Sequence, residues 1–184
     1  MSKIAFVFPG QGSQYVGMCK AFYDQYPIAR QLFEEADDAL GFSLTKMCFE
    51  GPEADLRLTY NTQPAILTAS TICGEILKQH GVSADIAAGH SLGEYSALVN
   101  AGAMKFADAV RIVRQRGQFM QEAVPVGEGS MSAVMGLANE KIVEICQQVE
   151  TETGLPVQAV NFNCPGQVVI AGATAAVDKA NEEI

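Results

Sequence analysis

Short apolar runs alternate along the chain with longer stretches in which apolar residues recur every three or four positions. "IAFVF" at 4–8 is a continuous run of strand formers cut off by the turn-forming "PGQGSQ", which predicts a buried parallel strand, a turn and then a helix. Helical periodicity fills about 18–40, and "NTQPAILTASTICGEILKQHG" at 61–81 predicts one long helix stopped by Gly81. "ADIAAGH" at 84–90 predicts a second short buried strand, and helices are expected over about 93–101 and 105–122. Strands alternating with helices in this way indicate an α/β layer fold.

The pattern breaks at "AVPVGEGS", 123–130, where proline and glycines interrupt the helical period. This is the candidate boundary between a first part, residues 1–124, and a second, residues 125–184. Beyond it "SMSAVMGL" predicts a strand, 138–152 a helix, "PVQAVNFN" and "GQVVIAGA" two strands, and 174–184 a helix. The order β-α-β-β-α is the split βαβ, or ferredoxin-like, unit without its last strand. A three-stranded remnant of that kind exposes a sheet edge and one side of its helix.

Composition narrows the class. Hydrophobic residues make up 48% of the 184 and charged residues 18%, enough for a sizeable core and unlike a disordered chain. No apolar run approaches the ~18 residues of a spanning helix, and the segment before the first turn is too short for a signal-peptide core. The formal charge of −9 argues against nucleic acid or an anionic membrane as the main partner. Four basic residues, Lys105, Arg111, Arg114 and Arg116, nevertheless fall close together. The five cysteines, Cys19, Cys48, Cys73, Cys146 and Cys164, are odd in number and widely spaced without a CxxC pair. They indicate neither a metal site nor a disulfide framework, and the expectation is of reduced thiols in the cytoplasm.

Candidate chemistry begins at Gly89-His90-Ser91-Leu92-Gly93, which fits G-x-S-x-G between an apolar strand and a helical pattern. A strand-to-helix elbow of this kind holds the hydroxyl proud of the sheet beside the unpaired N–H groups of a helix N-terminus. The pentapeptide serves a second reading equally well: Ser91 as an N-cap with Glu94 completing a capping box. "PGQGSQ" at 9–14 also follows a strand, but Tyr15 stands where a dinucleotide loop needs its third glycine. A turn that supplies a second oxyanion donor beside the serine is the more economical reading.

On a helical wheel of 105–120, Phe106, Ala109, Val110, Ile112 and Val113 fill one arc, with Arg111 and Arg114 on the solvent side. Arg116 falls inside the arc, with no acid three or four positions away. An inward guanidinium needs an anion from elsewhere. Either a distant Asp or Glu supplies it, or the side chain snorkels out, or it clamps a ligand carboxylate.

Taken with "FVFPGQGSQ", "TQPAILTAS" at 62–70, "AGHSLGEYSAL" at 88–98, "RGQFMQEA" at 116–123 and "VNFNCPGQVVIAG" at 160–172, the chain resembles the malonyl-CoA:acyl carrier protein transacylase family, in its N-terminal portion. The resemblance implies an incomplete α/β-hydrolase-like parallel-sheet domain carrying a ferredoxin-like subdomain. Ser91 would take the malonyl group from coenzyme A as an ester and pass it to the phosphopantetheine of acyl carrier protein, for fatty-acid or polyketide synthesis. The backbone N–H groups of Gln11 and Leu92 would form the oxyanion hole, and Arg116 would hold the malonyl carboxylate. His90 would line the pocket without being the base, and Met120 would pack near the acyl group or serve the core. By the same resemblance, a branched apolar residue after the serine goes with malonyl units, so Leu92 would favour malonyl over methylmalonyl. The resemblance implies no cofactor beyond the thioester substrate and the carrier's phosphopantetheine, no metal, no nucleic acid and no membrane, and leaves the oligomeric state open.

It also implies an absence. The family's general base is a histidine beyond the small subdomain, and the two histidines here, His80 and His90, both precede Ser91. The chain is therefore expected to be inactive or poorly active alone. Cys164 stands where the family has serine, with no chemistry attached to the change. Two other readings stay open: a serine esterase, for which an inward cation has no use, and a module that binds acyl carrier protein or malonyl-CoA without turnover.

Overall fold

The computed structural model describes residues 3–124 and 127–184. Met1 and Ser2, and Pro125 and Val126 of the expected boundary segment, lie outside them. The chain divides into two units between Gln121 and Glu122, and the architecture is mixed α/β, with one parallel and one antiparallel sheet.

In the first unit β1 (Ala5–Phe8) pairs in parallel with β2 (Ile86–Gly89), Phe8 opposite Gly89. Between them run α1 (Lys20–Gln25), α2 (Pro27–Leu40), α3 (Leu44–Glu50), α4 (Glu53–Leu56) and α5 (Thr59–Gln79). The expected helical stretch over 18–40 is thus two helices, separated where Tyr26 is extended and Pro27 opens the second, as proline favours at a first helical position. Helix α5 is the organising rod. It is buried on nearly all sides, and Phe33, Leu44, Leu56, Leu67 and Ile72 pack fully buried within the same cluster. It ends at His80, with Gly81 in the left-handed region at φ 78°, the conformation a helix stop favours.

The two strands are present where the apolar runs predict them, but they are not buried. Only Phe8 of β1 is buried, while Val7 is 77% and Ile86 58% exposed. Each strand pairs with the other alone among the described residues, so neither outer edge gains the neighbour that a central parallel strand needs. Helices α6 (Gly93–Asn100) and α7 (Phe106–Ala123) complete the unit.

The second unit has β3 (Gly129–Met135), α8 (Asn139–Thr153), β4 (Val157–Cys164), β5 (Gln167–Ala173) and α9 (Thr174–Glu183). β5 lies between β3 and β4, antiparallel to both, which is the split βαβ arrangement. Val134, Val168 and Ile170 from the sheet meet Ile142, Val149 and Val177 from the helices in a second core. Period-two alternation turns Met131 and Met135 outward, 61% and 74% exposed.

Candidate active site

The serine lies in the elbow that its flanking glycines require. A Cβ on Gly89 would sit 1.9 Å from the carbonyl carbon of Gly93, and one on Gly93 would sit 2.2 Å from the carbonyl oxygen of Phe8. Strand, turn and helix therefore approach at distances that only hydrogen side chains allow. The His90 N–H donates to the Phe8 carbonyl at 3.0 Å, continuing the β1–β2 pairing one residue past the strand. Ser91 itself has φ 52°, a left-handed conformation that costs a residue with a Cβ.

This conformation removes the capping reading. Helix α6 has Leu92 as its N-cap and no side-chain cap, and the Glu94 N–H bonds to the Ser91 carbonyl rather than to its hydroxyl. The Ser91 Oγ instead accepts from Arg116 Nη2 at 3.2 Å. Arg116 Nη1 donates to Gln63 Oε1 at 2.8 Å, and the guanidinium lies 5.8 Å from the centre of the Tyr95 ring. No carboxylate pairs with Arg116 among the described residues. The inward cation of the wheel is real, and its fixed partners are neutral.

Gln63 is the residue that sequence reasoning passed over. It is fully buried in the first turns of α5 beside Asn61 and Thr62, and its amide Nε2 lies 3.3 Å from Met120 Sδ. One buried amide thus ties the candidate carboxylate clamp to the candidate acyl-lining methionine, itself half exposed. The available signal was three consecutive polar residues, Asn61-Thr62-Gln63, just before the apolar run Pro64-Ala65-Ile66-Leu67.

The turn after β1 packs against the elbow. A Cβ on Gly10 would lie 2.8 Å from the His90 carbonyl oxygen and 2.9 Å from its Nδ1, so the next residue, Gln11, follows directly from that contact. The Gln11 side chain reaches Thr59 Oγ1 at 3.3 Å, and Ser13 Oγ closes the turn on the Gly10 carbonyl at 3.0 Å. Leu92 is buried, 1% exposed, with its side chain in the core of the first unit. Its backbone alone is left to serve the serine.

Arg114 departs from the expectation of a solvated face. Pro64 lies inside α5 and has no N–H to give to the carbonyl of Tyr60 one turn earlier. Arg114 Nη1 supplies that bond at 2.9 Å and also reaches Asn61 Oδ1. The guanidinium stacks 4.6 Å from the Tyr60 ring and 4.9 Å from the Phe42 ring. Burial holds its pKa below the usual arginine value. Arg111 does face solvent, where it pairs with Asp108 at 3.3 Å.

No helix among the described residues is long and apolar enough to cross a membrane. No cluster of three or more His, Cys, Asp or Glu among them could hold a metal ion.

Residues 5–184 match the family model described as an acyl transferase domain. A malonyl CoA-acyl carrier protein transacylase of Bacillus subtilis (strain 168) is 54% identical over 99% of this chain, and its counterpart in Escherichia coli (strain K12) is 52% identical over 98%. A malonyl CoA-acyl carrier protein transacylase from Coxiella burnetii superposes with a TM-score of 0.92 at 46% identity, covering 98% of this chain and 57% of that one. A malonyl-transacylase solved in complex with its type II PKS acyl-carrier protein gives 0.91 at 48%, covering 98% and 58%. The chain spans 57–58% of the length of the curated relatives named. Across nearly all of its own length, therefore, from the first strand to its last residue, this chain belongs to the acyl transferase domain family.

Proposed function

We propose that this chain carries the acyl-accepting half of a malonyl transfer from malonyl-CoA to the phosphopantetheine thiol of an acyl carrier protein. The observation that carries the reading is Arg116: a half-buried cation with no acidic partner among the described residues, hydrogen-bonded to the hydroxyl of a serine in a strained elbow. A free carboxylate one acyl length from the reacting carbonyl is the anion such a pair accommodates, and a guanidinium holds it in two parallel charge-assisted bonds. In this reading Ser91 Oγ attacks the thioester carbonyl and coenzyme A leaves as its thiol. The Leu92 and Gln11 N–H groups receive the oxyanion. The ester then passes to the carrier's thiol, which regenerates the hydroxyl. His90 and Met120 line the pocket, and Gln63 fixes Arg116. The first unit is read as part of an α/β-hydrolase-like domain and the second, with the boundary near residue 125, as a ferredoxin-like subdomain.

The proton of Ser91 needs an acceptor, and no histidine follows the serine in these residues. General-base help is worth about 10²–10⁴ in rate, so acylation of the chain by itself is slow. The test is intact-mass and peptide mapping after incubation with malonyl-CoA, with and without imidazole as an external base. A malonyl adduct on Ser91 that imidazole accelerates, and that Ser91→Ala abolishes, is the expected result. An adduct elsewhere, or none at Ser91 even with imidazole, overturns the assignment.

A further inference from the structure

Two of the five cysteines face one another. Cys19 is the residue before α1, held in the left-handed region at φ 61°, and Cys73 lies in the second half of α5. Their thiols interact, each shifting the ionisation of the other. Both open onto one cavity of about 430 Å³, lined also by Phe8, Met18 and Ile66. Cys73 is exposed and Cys19 partly so, whereas Cys48 and Cys146 are buried. We propose that Cys19 and Cys73 are a reversible dithiol–disulfide pair, oxidised by small hydroperoxides or by low-molecular-weight disulfides that enter this cavity.

The surroundings assign the two roles. Their mutual interaction holds the Cys73 thiol below the ordinary cysteine value, while that interaction and burial push Cys19 upward. Burial pushes the Cys48 thiol up to about 12 and raises that of Cys146. Near neutrality Cys73 therefore carries more thiolate than an ordinary cysteine. Lower basicity makes each thiolate somewhat less nucleophilic, so the selectivity comes chiefly from the second thiol on the same cavity. The Cys73 thiolate attacks one peroxide oxygen, the O–O bond breaks, and hydroxide leaves behind a sulfenic acid. Cys19 gives up its proton and attacks that sulfur, and the sulfenic oxygen departs as hydroxide. Two electrons pass from the thiols to the peroxide, one S–S bond forms, and two waters result once the hydroxides are protonated.

The disulfide would tie the start of α1 to α5, and so fix the far end of the segment 9–19 that carries Gln11. The experiment is to treat the 184-residue chain at pH 7 with one equivalent of hydrogen peroxide, and separately of oxidised glutathione, and to map the products by non-reducing peptide mass spectrometry. A parallel sample in urea reports the unselective chemistry of the same five thiols. The expected product is the Cys19–Cys73 disulfide, formed ahead of any modification of Cys164, restored by dithiothreitol, and equally present in a variant with Cys48, Cys146 and Cys164 changed to serine. Cys19→Ser should leave Cys73 as a sulfenic acid or mixed disulfide with glutathione. Pairing no more selective than in urea, or oxidation that stops at one sulfur in the native chain, overturns the proposal.

Discussion

Ser91 combines a backbone angle of 52° with a hydroxyl bonded to a cation, and each feature predicts a separate measurement. A residue with a Cβ in the left-handed region costs roughly 1–2 kcal/mol, and strain of this sort concentrates at functional sites. Replacing Ser91 by glycine removes the Cβ, while alanine keeps it. Ser91→Gly is therefore expected to unfold in urea at a higher concentration than Ser91→Ala, by about 1 kcal/mol; equal midpoints would mean the angle is unstrained. Arg116 offers a test of substrate. Hydrogen bonds to a charged partner are worth about 1.5–3 kcal/mol, so Arg116→Ala should slow malonylation of Ser91 roughly 10- to 100-fold. Acetylation, which presents no carboxylate, should lose much less. Equal losses for the two acyl groups would make Arg116 a structural arginine. The inward position of Arg116 was legible in the helical period alone. Its immediate partner Gln63 was not, because the pairing joins two helices that are distant in sequence.

At the scale of elements, the site depends on how closely α7 rests on the start of α5. A Cβ on Gly117 would lie 2.5 Å from the Cα of Tyr60 and 2.9 Å from the Thr59 carbonyl oxygen, both backbone atoms that cannot swing aside. Gly117→Ala must push the helices apart next to Arg116. Overpacking of this kind costs about 1–3 kcal/mol, and acylation of Ser91 should fall together with stability. Arg114→Ala strips the Tyr60 carbonyl of the donor that replaces the missing Pro64 N–H, for a loss of about 1–3 kcal/mol. Arg111→Ala, on the solvent side, should stay within about 0.5 kcal/mol. Thermal or urea unfolding of the three variants checks the ranking; Arg111 and Arg114 variants of equal stability would restore the solvated-face reading. The helices from α5 onward and all five strands could be read from periodicity and punctuation, since each is long enough or sharply bounded enough to show its period. Helices α3 and α4 could not, being seven and four residues long. The role of Arg114 was equally hidden, because the carbonyl it serves is orphaned by a proline fifty positions away on the chain.

At the scale of the whole chain, burial is uneven in a way that composition did not foretell. The apolar run at 4–8 has the sequence of a central strand, yet Val7 is 77% exposed and Ile4 42%, because a sequence pattern reports what a strand can bury and not whether neighbours are there to cover it. A two-stranded parallel sheet with apolar side chains open to water is a template for association. Charge opposes this only weakly: the excess of acids is spread over the chain, and no acidic residue lies within 4–8. The chain is expected to self-associate as its concentration rises. Val7→Lys places a charge on an apolar residue of β1 that is 77% exposed, the device by which natural edges resist pairing. The side chain it replaces contributes little to the core, so the stability measured in urea should change by no more than about 0.5 kcal/mol. Static light scattering against concentration should then show association beginning at a higher concentration in Val7→Lys than in the unaltered chain. Superimposable curves would place the sticky surface elsewhere, with Met131 and Met135 on the exposed face of β3 as the next pair to charge.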